Sequence, residues 1–226
     1  MIKNKNLEIY LSNYFGKNIK EITKEELTNL EEISLDGLNI ENEYEIINFK
    51  EIMELFPNLK RITISNYVFT KENINEIALN NIKEYSFYKC DLKSIKKLDI
   101  LNHSNILMFE NCILNDYDFI KNDFDNLEVL CISNPVHNEE IDLLKIDALN
   151  IKELYLEKCI VSNFKAITKF QDLEFINIHE TDITKEELFQ FINLVKLEAI
   201  VVDEMYLDDE TKEIMKKSEI EIISNN

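Results

Sequence analysis

The chain has 226 residues, 45% of them hydrophobic, so it is long enough to bury a substantial core in one domain. Its 44 acidic residues outnumber its 25 lysines and arginines, which gives a formal net charge of −19. Because phosphate backbones and anionic lipids would repel such a surface, we expect neither a nucleic-acid partner nor a membrane partner.

Segments for export or membrane insertion are not evident in the sequence. Residues 1–7 contain no apolar signal region and no cleavage site. Apolar runs stop at four residues, whereas a bilayer span needs about 20. Four cysteines are too few for a disulfide scaffold in a chain of this length. We therefore expect a cytoplasmic protein.

Two short helices are predicted in residues 1–28, which we interpret as an N-terminal cap. Leu7, Leu11, Tyr14 and Phe15 share one helical stripe, and Gly16 is a typical residue to end that helix. Residues 23–27 predict the second helix.

A repeat occupies residues 29–208. Its pattern is Leu-x-x-Leu-x-Leu-x-x-(Asn/Cys)-x-Leu, with Ile, Phe, Tyr and Val as substitutes. The intervals between copies, 22 to 29 residues, suit leucine-rich repeats. The pattern predicts an α/β fold: a right-handed, curved leucine-rich-repeat solenoid with a parallel β-sheet on its concave face and helical returns on its convex face. The eight copies open at Leu30, Leu59, Ile82, Ser104, Leu127, Ile151, Leu173 and Leu197.

Each copy predicts one strand. Its fourth and sixth positions point into the core, and its third, fifth and seventh point to the opposite side, which we call the concave face, because strand side chains alternate. Thr184 and Glu187 have the spacing of a capping box. Residues 209–226 predict a C-terminal cap with a helix at 210–217 and a strand at 220–222. The clearest helical returns are predicted at residues 45–55, 71–79, 117–123, 138–146 and 184–191.

Residues 22–35, ITKEELTNLEEISL, follow an amphipathic helix and resemble the cap and first repeat of bacterial leucine-rich-repeat proteins of the internalin type. The resemblance implies a solenoid that binds other proteins. The family motif contains no catalytic residue that could be assigned to a position of this sequence. Internalins are secreted and typically surface-anchored and carry an Asn ladder at the ninth position, whereas this chain shows no leader or anchor. Its ninth-position residues are Leu38, Tyr67, Cys90, Cys112, Pro135, Cys159, Thr181 and Met205.

Few residues are candidates for chemistry. The three ninth-position cysteines are interpreted as structural, and no two close pairs exist for zinc. Cys131 is at a fifth position and should face outward. His179 is the one histidine predicted on the concave face, with Glu157 one repeat earlier, which predicts a pH-sensitive surface pair rather than an active site. Only two glycines occur, which excludes Gly-rich phosphate loops. We expect no catalytic residue, cofactor or metal.

The outward residues change character along the array. The first three strands are polar outside, whereas from the fourth strand onward the outward residues become largely apolar beside acidic seventh positions. An apolar centre with a charged rim is typical of a binding face. The residues predicted to bind a partner are Tyr88, Ile106, Met108, Glu110, Val129, Cys131, Tyr155, Glu157, Phe175, His179, Val201 and Asp203.

These patterns predict a monomeric, non-catalytic module that binds another protein, with a basic partner favoured. Two other functions remain open: an inhibitor or immunity protein that neutralises a basic toxin or enzyme, and a structural protein that self-associates. β-Propensity alone, or a terminus folded over the face, would also account for the outward apolar residues.

Overall fold

The computed structural model describes residues 4–38, 47–77, 82–95, 101–114, 124–136 and 140–225. It contains a nine-stranded sheet with every neighbouring pair parallel, in the order β1-β2-β3-β4-β5-β7-β9-β10-β11. Each of the eight repeats contributes one strand, and the C-terminal segment adds the ninth, as predicted. The strands are β1 (Glu32–Asp36), β2 (Arg61–Ser65), β3 (Glu84–Tyr88), β4 (Ile106–Glu110), β5 (Val129–Ser133), β7 (Glu153–Glu157), β9 (Phe175–Asn177), β10 (Ala199–Asp203) and β11 (Glu221–Asn225).

Burial follows the repeat pattern. In β1, Ile33 and Leu35 are buried while the residues between and beside them are exposed. The rings of Phe69, Phe87 and Phe109 continue from one repeat to the next, with centroid separations of 5.4 and 5.3 Å. Ser104, which replaces the first apolar residue of the fourth copy, is fully buried, and its hydroxyl donates to the Leu101 carbonyl at 2.6 Å. Because each repeat packs on the repeats before and after it, the buried residues form one continuous core.

The predicted N-terminal helices are confirmed as α1 (Lys5–Phe15) and α2 (Lys24–Thr28). Gly16 ends α1 with φ 62°, a left-handed conformation that glycine adopts without strain. Helix α1 also covers the edge of β1. The Asn6 amide donates to the carbonyls of Asp36 at 3.0 Å and Leu38 at 2.5 Å.

The helical returns are described in part, and the first of them begins later than predicted, at Phe49. They comprise α3 (Phe49–Leu55), α4 (Lys71–Ile77) and α5 (Lys185–Leu188), the last followed by a 3₁₀ helix at Phe189–Asn193. The Thr184–Glu187 capping box is present, with both hydrogen bonds made. The C-terminal helix is α6 (Asp209–Lys217). The return predicted at 117–123 lies outside the described residues, as do parts of those at 45–55, 71–79 and 138–146.

The helix predicted at 138–146 is wrong for the residues described there. They form β6 (Glu140–Asp142), which pairs with β8 (Ile160–Ser162), and then a 3₁₀ turn at Leu143–Lys145. Ile141 and Leu143 are fully buried while Leu144 is 60% exposed. Within β6 the buried Ile141 lies between exposed Glu140 and half-buried Asp142, the alternation of a strand, whereas Leu143 and Leu144 already belong to the 3₁₀ turn.

Ninth-position side chains join successive repeats in place of asparagine. The Cys90 and Cys112 thiols donate to the carbonyls of Ile64 and Phe87, both at 3.3 Å. Cys159 makes the equivalent contact with Ile132. These thiols are buried and free, which supports the structural interpretation of the ninth-position cysteines.

Eighth positions also have a common conformation that the repeat pattern did not predict. Six of them have φ between 49° and 55°, in the left-handed region that asparagine tolerates better than most residues. They are Asn66, Lys89, Asn111, Asn134, Lys158 and Glu180.

No helix in the described part of the chain has the length and apolar character needed to cross a membrane.

Candidate functional site

On the concave face of the first three strands, one arginine is shared by two carboxylates. Arg61 lies between Glu32 and Glu84 in the strand register and forms an ion pair with each, with a nitrogen–oxygen distance of 3.0 Å to Glu32. Tyr88 ends β3, and the Lys89 ammonium lies 4.9 Å from its ring centre.

Asp36, which ends β1, accepts from the Leu38 backbone and the Asn66 amide, each at 3.0 Å. The outward positions of β1 to β3 therefore hold three carboxylates and one arginine, whereas those from β4 to β10 hold no arginine.

From β4 to β10 the concave face carries the apolar residues that the sequence predicted. Register places Met108, Cys131 and Tyr155 side by side at the fifth positions of β4, β5 and β7. The exposure of the predicted residues is uneven: two are exposed, two are buried and the rest are half-buried. Met108 and Glu110 are exposed; Cys131 and Val201 are buried; Tyr88, Ile106, Val129, Tyr155, Glu157, Phe175, His179 and Asp203 are half-buried.

Cys131 is on the outward side of its strand but is only 8% exposed. Its neighbours in register, Met108 and Tyr155, have longer side chains on strands about 4.8 Å away. Burial, with a smaller effect from Glu157 and Glu110, raises the pKa of this thiol to about 12. Cys131 is therefore a recessed, protonated thiol at neutral pH rather than an exposed contact.

Tyr155 is held at the middle of the face. Its ring lies 5.3 Å from that of Phe175, and its hydroxyl donates to Glu153 at 2.8 Å. Burial, followed by this hydrogen bond, raises the pKa of Tyr155. The aromatic pair forms a fixed apolar surface with one polar end.

Neutral donors hold the Glu157 carboxylate. The Ser133 hydroxyl donates to one oxygen at 3.1 Å, and the Asn177 amide donates to the other. Asn177 is only 8% exposed, and its own carbonyl accepts from the His179 backbone at 3.0 Å. Glu157 is thus fixed in position without a cation.

The structure gives His179 different partners from the predicted one. Its Nδ1 lies 2.5 Å from Asp203, and its Nε2 lies 3.2 Å from Glu180. Asp203 also accepts from the Glu180 backbone at 2.9 Å. The predicted pairing with Glu157 does not form, although the Lys158 amide still donates to the His179 carbonyl at 2.9 Å. Both Glu157 oxygens accept from Ser133 and Asn177, and the two His179 nitrogens lie beside Asp203 and Glu180 instead.

Comparisons with solved structures show the fold. An internalin, InlF, from Listeria monocytogenes matches 97% of this chain and 68% of its own, with 12% identity and a TM-score of 0.59. Internalin C2 from the same species matches 99% of this chain and 76% of its own, with 14% identity and a TM-score of 0.45. A Bacteroides fragilis protein matches 74% and 66%, with 16% identity and a TM-score of 0.39.

This chain has an internalin-like leucine-rich-repeat fold. No protein-family model matches it, and no curated protein does. At these identities the likeness concerns the fold alone. The partner residues predicted for this internalin-like solenoid therefore stay a prediction.

Three further residues belong to the same face of the solenoid. Ser133 and Asn177 position Glu157, as described above. Ile223 of β11 is 39% exposed and continues the row beyond Val201 in register. Extending the outward pattern to the last strand would have found Ile223, whereas nothing in the sequence indicates the Asn177 contacts.

An open depression of about 460 Å³ lies beside the end of this face. It is lined by His179, Asp203 and the residues next to them, including Met205, which is 80% exposed. Within the residues described, no group of three or more His, Cys, Asp or Glu side chains is arranged to hold a metal ion. The absence of catalytic residues and cofactors stays a prediction.

Proposed function

We propose that this protein is a binding module that captures a partner protein on its concave face between β4 and β10, and that it has no catalytic role. One observation carries the proposal: the outward positions of these five strands hold four carboxylates beside an apolar surface, and no lysine or arginine. The four are Glu110, Glu153, Glu157 and Asp203.

The partner should therefore present apolar and basic side chains. Carboxylates without a lysine or arginine beside them attract a basic surface and speed its approach, and the net charge of −19 acts in the same direction. The fixed Tyr155–Phe175 pair supplies an aromatic surface of the kind that contributes most to binding energy.

Replacement of Met108, Tyr155 and Phe175 by serine tests the proposal. We expect the triple variant to lose a partner that the wild-type protein captures from its source cell, with the captured protein identified by mass spectrometry. The matched control replaces three exposed apolar residues away from the concave face. These are Leu144, Leu149 and Val195.

Circular dichroism melting should show both triple variants folded. Equal capture by the wild type and the concave variant would contradict the proposal. So would equal loss of capture in the control.

A basic toxin or enzyme is a specific form of such a partner, and it is the second candidate that the unmatched carboxylates favour. The decisive measurement is the activity of the captured protein with and without this chain. Inhibition that the serine triple abolishes would support an inhibitor or immunity role.

We also propose a monomer in the cytoplasm. Self-pairing of the concave face would bring Glu110, Glu157 and Asp203 of one copy against the same carboxylates of another, which is unfavourable. Four free, buried cysteines suit a reducing compartment. Light scattering across a dilution series measures the mass, and a dimer would contradict the first statement.

A further inference from the structure

We infer that the element seated on the concave face is an amphipathic basic helix that lies across the strands and carries a cation at every seventh residue. This inference rests on the proposed function, because it specifies the part of the partner that the face receives. It depends on the spacing of three carboxylates and on the apolar row beside them.

The spacing of the carboxylates matches a helix. Glu110, Glu157 and Asp203 occupy the seventh positions of β4, β7 and β10, which are alternate strands of the sheet. Alternate strands are about 9.6 Å apart. A helix advances about 10.5 Å in seven residues and returns to within about 20° of the same side.

An extended partner strand fits less well. Its side chains on one side repeat at about 6.7 Å or, at the next interval, about 13.4 Å. Neither distance matches the separation of the carboxylates. The row therefore favours a helix over an added extended segment.

None of the three carboxylates has a lysine or arginine partner in the described structure, while Asp203 lies 2.5 Å from the Nδ1 of His179. Neutral donors hold Glu157 from both sides, and the Asn111 amide donates to Glu110 at 3.3 Å. A backbone N–H donates to Asp203, whose side chain is 17% exposed beside His179. By contrast, Glu180 next to this row already pairs with Lys158 at 3.1 Å. A cation on the partner would thus meet placed carboxylates at Glu110 and Glu157, and at Asp203 it would share the carboxylate with His179.

An apolar row accompanies the carboxylates on the same three strands. Met108, Tyr155 and Val201 are two residues before them, about 6.7 Å along each strand. Met108 is exposed and Tyr155 half-buried, whereas Val201 at 7% exposed is as recessed as the intervening Cys131 and Asn177 at 8%. On a helix, a residue four positions after a cation lies about 40° to one side of it and a residue three positions after lies about 60° to the other, so apolar residues on the side of this row would pack against it.

The length of the row sets the length of the helix. Glu110 and Asp203 are four strand spacings apart, about 19 Å. A helix needs about 15 residues to place cations at both ends and in the middle of that distance. Shorter helices would reach only two of the three carboxylates.

Synthetic peptides of about 18 residues, stapled to be helical, test the inference. One carries arginine at every seventh position with leucine three or four residues later. Its isomer has the same composition with arginine at every fifth position, which distributes the cations around the helix. By fluorescence anisotropy we expect about tenfold tighter binding of the first peptide, since three exposed ion pairs contribute modestly each.

Protein variants identify the site. Glu110→Gln, Glu157→Gln and Asp203→Asn together should reduce the affinity of the seventh-position peptide to that of its isomer. The matched control removes three exposed charges before the strands, with Glu174→Gln, Glu198→Gln and Glu219→Gln, and should leave the preference between the two peptides intact.

Equal binding of both peptides, binding of neither, or an equal effect of both triple variants would overturn the helix. The capture experiment separates this outcome from failure of the proposed function. A partner lost with the serine triple would keep the concave face as the binding site even if the seventh-position peptide shows no preference.

Discussion

Gly37 is required for space rather than for an unusual backbone conformation. A Cβ built on it would lie 2.3 Å from the Asn66 carbonyl oxygen, which belongs to the backbone of the next repeat. Gly37→Ala should therefore lower the free energy of unfolding by about 1–3 kcal/mol, the usual cost of overpacking. Urea denaturation measures the change.

Gly16→Ala is the control for this substitution. Gly16 has a positive φ but nothing within 4 Å of a built Cβ, so its cost comes from backbone strain alone, about 1 kcal/mol. A loss at Gly16 that exceeded the loss at Gly37 would contradict the steric explanation.

The rate at which iodoacetamide labels Cys131 measures how well neighbouring side chains cover this thiol. Its pKa of about 12 leaves almost no thiolate at neutral pH, and only the thiolate reacts with iodoacetamide. Met108→Ala removes most of a side chain that lies next to Cys131. The labelling rate of Cys131 should therefore increase several-fold, as measured by mass spectrometry. Met205→Ala removes an exposed methionine outside the outward rows and should not. Equal acceleration at buried Cys90 would indicate general loosening instead.

The inward and outward sides of the strands could be predicted from sequence because strand side chains alternate. The exposure of each outward residue could not. Whether Cys131 is open or covered depends on the side chains of β4 and β7, which reach it only through the sheet register. The partner of His179 likewise depends on contacts between strands, because Asn177 occupies the Glu157 oxygen and Asp203 of β10 lies beside the imidazole.

At the scale of elements, α2 depends on a charge. Thr23 and Glu26 form a capping box, and Lys17 pairs with Glu26 at 2.5 Å. The Lys17 hydrogen bond, followed by that from the Thr23 backbone, lowers the pKa of Glu26 from 4.5 to about 2. Because the folded pKa is depressed, this stabilisation is complete above pH 4.5 and is lost as the pH falls toward 2.

Glu26→Gln isolates this charge, since glutamine can still make the capping hydrogen bond. The variant should melt below the wild type near neutral pH, and the difference should shrink as the pH falls below the ordinary glutamate pKa. Glu25→Gln, exposed in the same turn, is the control. A melting difference that stays constant with pH would contradict the role of the charge.

Capped helices were predicted more accurately than the returns without such signals. The residues at both ends of α1 and the two capping boxes mark helix boundaries locally. The return predicted at 138–146 lacks such signals, and its apolar residues fit either period over so short a length. Tertiary packing determines the structure of residues 140–145, because Ile141 of β6 and Leu143 of the turn that follows are both buried.

At the scale of the whole molecule, the two ends of the sheet differ. Helix α1 covers β1, and its residues Leu7 and Leu11 are buried in the core. At the other end, β11 pairs with β10, and no strand lies beyond it in the part of the chain that the structure describes. An edge strand has backbone groups on its outer side without partners in the sheet.

Hydrogen exchange should reveal this difference, because repeats contact only their neighbours and an array can open from its ends. We expect the amides of β11 to exchange faster than those of β1. Asn6→Ala removes two hydrogen bonds to the carbonyls of Asp36 and Leu38 and should speed exchange in β1 by about tenfold, while leaving β11 unchanged. Mass spectrometry of peptides from each end measures both rates. Equal acceleration at the two ends would mean that the repeats open together as one cooperative unit rather than from the edge that has lost its cover.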